Sequence, residues 1–290
     1  MARQTHYRST DSIGDIMTEK IRVGAVIYDP KVTIIWDMIH KFFIERGMDV
    51  EGVYFKDYDL QVDAVVNGDI DIAWNSPLAW LQTQIRTKGE SENGPMRDTD
   101  QDRKTICLVR KGGDIKSFED LKGKKIGFGA FDSPQARLIP IYYLKTKGLE
   151  YGKDYEEVRF DKGVGLNGDH VGGELDAVKA LENGDVDCAF TIDLNYNAWT
   201  NDGTIDKNQL EVLGETPHFD HCIFSARIGF PSEDFKAWSK ILFTMDYNDP
   251  EHKKIMDMEG LKEWVPGRTT GFEQITNAEK YLDFFGKYRD

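Results

Sequence analysis

The chain has 290 residues, room for two domains, and its 40% hydrophobic and 12% aromatic content is enough for packed cores. Its 37 basic and 51 acidic residues give a formal charge of −14, which excludes nucleic acid as the main partner because a phosphate backbone demands a basic footprint. No apolar run approaches the roughly 18–20 residues that cross a bilayer, so no membrane insertion is expected. A small anionic ligand stays open, since it responds to a local site rather than to net charge.

In chain order, residues 1–19 read as a flexible polar arm with no apolar signal core. As the sequence stands this points to the cytoplasm, and to the periplasm if a signal has been removed. Residues 21–27 read as a strand, broken at Tyr28-Asp29-Pro30. Apolar residues at helical spacing (Ile35, Met38, Ile39, Phe42, Phe43) then predict a helix stopped by Gly47. A strand at 50–55, a short helix at 58–66 and a strand ending at Trp74 complete a βαβαβ order, which predicts a parallel sheet with right-handed crossovers. Ligands of such sheets sit at the carboxyl ends of the strands, so Tyr28, Asp29, Asn75 and Ser76 become candidates. Residues 87–104 read as a long charged surface loop. A strand at 105–110 carries the chain into a second lobe, where Ser133 and Pro134 suit the N-cap and first position of a helix. Strands at 125–129 and 155–160, a Gly-rich loop at 163–173 holding His170, and strands at 211–213 and 222–225 follow. The tail is mostly helical.

One phrase occurs twice. Asn67-Gly68-Asp69-Ile70-Asp71-Ile72-Ala73-Trp74 returns as Asn183-Gly184-Asp185-Val186-Asp187-Cys188-Ala189-Phe190, at an offset of 183 − 67 = 116 residues. Each copy reads as a helix end, a glycine stop at positive φ and a buried strand. A single offset of that size predicts two similar lobes rather than a solenoid. The expected boundaries are 20–105 with 222–290 for lobe 1 and 106–221 for lobe 2.

Five motifs in the right order carry a family resemblance over residues 21–285. Lys56-Asp57-Tyr58, with the helix to Asn67-Gly68-Asp69-Ile70-Asp71, is similar to a Thr-Asp-Tyr … Gly-x-Val-Asp segment. Ser117-Phe118-Glu119-Asp120-Leu121-Lys122-Gly123-Lys124 is similar to a Ser-x-x-Asp-Leu-Lys-Gly-Lys opening of the second lobe. Ser133 through Leu138 to Pro140 resembles a ligand-binding Ser-Thr-Ser-Gly-x-Leu-x-Pro helix start. Gly168-Asp169-His170 stands where Gly-Ser-His is found, and Glu259-Gly260-Leu261 through Val265-Pro266 resembles a C-terminal turn. Together they resemble the phosphonate/phosphite-type branch of ABC transporter solute-binding proteins. The resemblance implies an α/β, two-lobed type II periplasmic-binding-protein-like fold. Each lobe would be a mostly parallel sheet flanked by helices, with the ligand cleft between the lobes.

It also implies a site. The family holds a tetrahedral anion with hydroxyls and backbone N–H groups at a helix start, where the dipole favours negative charge. Ser133 and Gln135, with Asp132 beside them, would be the counterparts, and His170 would be a ligand donor. Tyr58 and Trp74 would form aromatic walls, Asn75 and Ser76 would donate from the first lobe, and Asp193 would be their counterpart in the second. Here Pro134-Gln135-Ala136 replaces Thr-Ser-Gly, and Pro134 has no N–H to give, so a carboxylate fits as well as a phosphonate. The expected partners are a small-molecule ligand and, if the protein is exported, a transporter permease; no cofactor is expected. The alternative reading is a cytoplasmic enzyme of decarboxylase, desulfinase or lyase type, with His170 as acid or base and Asp193 as its partner. Cys107, Cys188 and Cys222 form no CxxC and no metal-ligand spacing is visible, so all three read as buried apolar thiols, and no metal is expected. Glu174 reads as a plain acid at a helix start.

Overall fold

The computed structural model describes residues 19–165 and 172–288. Two five-stranded sheets organise them. The first has the order β2-β1-β3-β11-β4, from Val50–Phe55, Ile21–Val26, Ile72–Asn75, Ile223–Ala226 and Glu92–Asn93. The second has the order β10-β6-β9-β7-β8, from Leu210–Glu215, Thr105–Arg110, Cys188–Ile192, Lys125–Phe128 and Glu156–Arg159. A two-stranded ladder joins β5 (Met96–Arg97) to β12 (Trp264–Val265).

The two sheets repeat one plan. In the first, β1 pairs in parallel with β2 and β3, and β11 closes on β3 antiparallel. In the second, β7 pairs in parallel with β8 and β9, and β6 closes on β9 antiparallel. Each lobe's antiparallel strand is therefore the one reached by crossing from the other lobe.

The duplicated phrase does the same work in both lobes. Helix α2 (Tyr58–Asn67) ends at Gly68 with φ 81°, and α5 (Gly172–Asn183) is followed by Gly184 at φ 84°. Beyond each glycine the next amide closes back on the helix, Asp69 N–H to the Ala64 carbonyl at 2.8 Å and Asp185 N–H to the Ala180 carbonyl at 2.9 Å. The second aspartate of each copy then pins the start of the neighbouring parallel strand, β1 or β7. Asp71 accepts from the Arg22 amide at 2.8 Å, and Asp187 accepts from the Lys125 amide at 3.1 Å.

Around the first sheet pack α1 (Pro30–Ile44), α3 (Pro77–Arg86), α7 (Ser232–Phe243) and α8 (Pro250–Glu259). Trp36, Phe43, Phe224 and Trp238 fill the core between them. The second sheet is covered by α4 (Ile139–Thr146), α5 and α6 (Asp193–Asp202). Helix α9 (Glu273–Leu282) belongs to both lobes. Its Ile275 and Ala278 share a buried cluster with Leu78 and Leu81 of α3 and with Leu138, Ile139 and Ile192 of the second lobe. Its Tyr281 hydroxyl accepts from the Tyr151 amide at 3.1 Å.

Two crossings connect the lobes, at 98–104 outbound and 216–222 on return. Thr105 opens β6 of the second sheet directly after the outbound crossing. The crossings run antiparallel as a ribbon. Arg103 and Phe219 exchange both backbone hydrogen bonds at 2.7 Å, and the His221 amide donates to the Asp100 carbonyl at 2.8 Å. Arg268 ties the ribbon from outside, reaching Asp220 and Asp102 each at 2.7 Å. The stretch read as a surface loop thus holds β4, β5 and the outbound half of this ribbon, with Ser91, Met96 and Asp100 buried. Two-residue strands carry no periodicity, which is why it looked irregular.

Candidate functional site

Where the ribbon passes between the lobes it forms the floor of a cavity of about 240 Å³. Tyr28, Arg97 and Glu259 line it from the first lobe, and Gln135, Ile192 and Asn195 from the second, with Asp100, Arg103 and His221 on the ribbon between them. An inner recess of about 80 Å³ continues into the first lobe between Tyr28, Tyr58, Trp74 and Arg97. A larger hollow of about 670 Å³ lies elsewhere, lined by first-lobe residues around Lys20, Met48 and Arg227. The smaller cavity is the better candidate, because both lobes contribute to it and two arginines face it.

Those arginines differ. Arg97 Nε and Nη2 donate to the two oxygens of Asp100 at 2.6 and 2.8 Å, and Nη1 donates to the Glu259 carbonyl at 2.8 Å. Its guanidinium also lies 5.3 Å above the Trp74 ring. Burial works against the charge, but Asp100, then Cys222 and Glu259, outweigh it and hold Arg97 fully protonated. Arg103 is held by its backbone in the ribbon. Among the described residues its ion-pair partner is Asp193, with Nη2 at 3.8 Å, and its Nε is buried without a hydrogen-bond partner. Of the two, Arg103 has the donors to offer.

A chain of polar contacts crosses the cavity from one lobe to the other. His221 Nδ1 lies 3.1 Å from Cys222 Sγ and 3.9 Å from an Asp100 oxygen; its Nε2 lies 3.2 Å from Gln135 Oε1. The Gln135 amide reaches Glu174 Oε2 at 3.5 Å. Glu174 is not a plain helix-start acid. It is buried in the second lobe, where Oε1 accepts from the Thr191 hydroxyl and the Ile192 amide, each at 2.7 Å, and from Asn195 at 3.1 Å. Burial pushes its carboxyl above the usual range although these donors pull it down.

The expected site residues divide. Tyr28, Tyr58, Trp74 and Gln135 line the cavity or its recess. Asp29 does not; it caps α1 by accepting from the Lys31 amide at 2.8 Å. Asn75 and Ser76 do not line it either. The Asn75 amide donates to Ser225 Oγ at 2.8 Å and to the Ile223 carbonyl at 3.2 Å, stitching β3 to β11, and Ser76 caps α3 through the Ala79 amide at 3.2 Å. Ser133 is engaged in the same way, accepting from the Ala136 amide at 3.2 Å over the π-type turn Pro134–Leu138. Asp132 is buried and accepts from the Gly165 amide at 2.8 Å. Asp193 sits behind the cavity wall, accepting from the Leu194 amide at 2.9 Å and facing Arg103. His170 lies outside the described residues. The helix starts thus use their polar groups on themselves. The cavity's charged wall comes instead from Arg97 at the end of β5 and from the ribbon residues Asp100, Arg103 and His221, none of them a candidate from the sequence. Arg97, Asp100 and Arg103, clustered in an otherwise loop-like stretch, were the one available signal.

Comparison with known proteins agrees with this architecture. The family model "ABC transporter, phosphonate, periplasmic substrate-binding protein" matches residues 38–271, more than half the chain. A probable ABC transporter phosphite binding protein, PhnD1, of Prochlorococcus marinus is 24% identical over 255 residues, covering 83% of this chain and 82% of that protein. The phosphate-import protein PhnD of Mycolicibacterium smegmatis is 25% identical over 262 residues, 87% of this chain and 77% of its own. The PhnD1 crystal structure with methylphosphonate superposes with a TM-score of 0.66 at 19% identity, over 91% of this chain and 98% of that one, a likeness of fold. The family is the periplasmic component of its transporters. Among the described residues no helix is long and apolar enough to cross a membrane. The comparisons give the enzyme alternative no support. The chain belongs to the phosphonate-type family of ABC transporter substrate-binding proteins, receptors that take up a small anionic solute between two lobes.

Proposed function

We propose that the cavity over the ribbon takes a small organic anion, with its charged head against Arg103 and its apolar part toward the recess of Tyr28, Tyr58 and Trp74. The observation that carries this reading is Arg103, a cation facing a two-lobe cavity with a buried Nε that no described residue engages. A guanidinium presents paired donors in a plane, the geometry that carboxylates and phosphonates accept. The Gln135 and Asn195 amides stand on the opposite wall, so an anion seated on Arg103 would draw both lobes to one ligand, and closure would follow from contacts made only when shut. The cavity is smaller than the ~300–1,000 Å³ typical of drug-sized ligands, which favours a ligand of few heavy atoms. Delivery to a permease after export completes the reading.

Isothermal titration with methylphosphonate, phosphite, phosphate and short carboxylates tests it. One anion class should bind at one site per chain. Arg103→Gln should weaken that binding by about 1.5–3 kcal/mol, roughly 10- to 100-fold in Kd. Unchanged affinity in Arg103→Gln would remove Arg103 from the site.

A further inference from the structure

The ribbon brings a nitrogen, a sulfur and an oxygen ligand to one point. Asp100 lies on the outbound strand and His221 and Cys222 on the return, 121 residues later by sequence (221 − 100). His221 Nδ1, Cys222 Sγ and an Asp100 carboxylate oxygen all lie within 4.8 Å of one another. We propose that Asp100, His221 and Cys222 form a binding site for a borderline divalent transition metal of the Zn²⁺ type, with a fourth position open to the cavity. The proposal concerns the same cavity as the anion reading and adds a metal beside the anion.

Four features support it. First, the ligand types fit: imidazole, thiolate and one carboxylate suit Zn²⁺ or Co²⁺, whereas Ca²⁺ and Mg²⁺ want an all-oxygen shell. Second, one and the same ring nitrogen, Nδ1, faces both Cys222 at 3.1 Å and Asp100 at 3.9 Å. Metal–ligand bonds of ~2.0–2.3 Å in a tetrahedral shell ask for ligand separations of roughly 3–4 Å, which both of these pairs meet, and the third pair, Cys222 Sγ and the Asp100 oxygen, lies within 4.8 Å. Third, the outer partners are in place. His221 Nε2 faces Gln135 Oε1 at 3.2 Å, and Asp100 is oriented by Arg97 at 2.6 Å, the pattern in which a metal-bound histidine donates its other N–H to an oxygen. Fourth, the charges balance. Arg97 (+1), Asp100 (−1) and Glu259 (−1) leave one excess negative charge; a dication (+2) with the Cys222 thiolate (−1) brings the sum to zero. On binding, a metal–sulfur bond forms, the S–H bond breaks and the proton leaves to solvent, with no change of oxidation state.

The backbone preorganises the site. The His221 amide bonds the Asp100 carbonyl, and Asp220, one residue earlier, is fixed by Arg268 and by the Asp102 amide at 2.9 Å. Asp100 and His221 both line the cavity, so the fourth position faces any anion bound there. Three protein ligands and one exchangeable position is the arrangement of zinc sites that bind or polarise a ligand, rather than of closed structural sites.

Co²⁺ titration of the metal-free full chain tests the proposal. Expected is one equivalent of Co²⁺ with a near-ultraviolet sulfur-to-cobalt charge-transfer band and the intense visible bands of four-coordinate cobalt, bleached by Zn²⁺. The charge-transfer band should vanish in Cys222→Ser, and His221→Gln should weaken binding at least about 10-fold, with circular dichroism confirming that both variants fold. Cys107 and Cys188, buried with their sulfurs 3.3 Å apart in the second lobe, are the internal control. A band that survives Cys222→Ser, or no thiolate band at one equivalent, overturns the proposal. Anion titration with and without chelator separates the two readings. Anion binding in chelator without metal uptake sinks the metal site alone, and metal uptake without binding of any anion sinks the receptor reading alone.

Discussion

Arg97 and Arg103 are the same residue type six positions apart, and their surroundings make them different instruments. Arg97 is enclosed by Asp100, Glu259 and Trp74, and its role is to hold the cavity wall. Removing it leaves Asp100 buried and uncompensated, so Arg97→Gln should destabilise the fold by about 3–5 kcal/mol in urea denaturation, whereas Arg103→Gln should act on anion affinity. His40 is a second case of burial deciding chemistry. It is enclosed by Trp36 and Tyr54 and has no hydrogen-bond partner on either ring nitrogen among the described residues. Burial lowers its pKa from 6.5 to about 4, with Asp37 pulling weakly the other way. Between those values the unfolded chain binds a proton that the folded chain refuses, so stability is full above pH 6.5 and falls as pH drops toward 4. The loss should approach about 3 kcal/mol, and His40→Leu should flatten that part of the stability–pH profile; an unaltered profile would assign the slope to other groups. At this scale the sequence was least legible. Asn75, Ser76 and Ser133 have the residue types of a binding site because caps and strand ties use the same hydroxyls and amides. Only coordinates separate a cap that closes on its own helix from one that faces a ligand.

The duplicated phrase is the element that the sequence disclosed best. Its helix end, glycine and strand occur as read in both lobes, because a left-handed residue after a helix leaves few choices other than glycine. A test follows from the near-equality of the two turns. Gly184 has open space around its Cβ position at φ 84°, and Gly68 meets only the Arg227 side chain at 3.9 Å. Gly184→Ala and Gly68→Ala should each cost about 1 kcal/mol from backbone strain alone. Equilibrium denaturation reads this; a cost of several kcal/mol in one of them would mean that the turns are not equivalent. What the phrase could not disclose was its second aspartate. Asp71 and Asp187 reach the Arg22 and Lys125 amides at the starts of β1 and β7, 49 and 62 residues away in sequence. The stretch 87–104 was misread for the converse reason: it is ordered by partners such as Asp220, Glu263 and Phe219, far along the chain.

For the whole molecule, the alternation of strand and helix sufficed to give two lobes, since βαβ units admit few arrangements. The floor of the cleft did not follow, because it is made by two crossing strands whose pairing is antiparallel and long-range. Helix α9 was read as tail and instead fastens both lobes. Its placement limits how far they can open without parting Tyr281 from Tyr151. Tyr281→Phe, which removes that acceptor, should therefore widen the molecule in solution scattering when no anion is present and leave the anion-bound form unchanged.

The account rests on Arg103 as the group that receives the ligand's charge. Calorimetric titration of the phosphonate, phosphite, phosphate and carboxylate series into wild-type and Arg103→Gln protein measures this directly. The account predicts one site per chain in the wild type and a roughly 10- to 100-fold loss in the variant. Equal affinity in both proteins, or no anion bound by a correctly folded wild type, would contradict it.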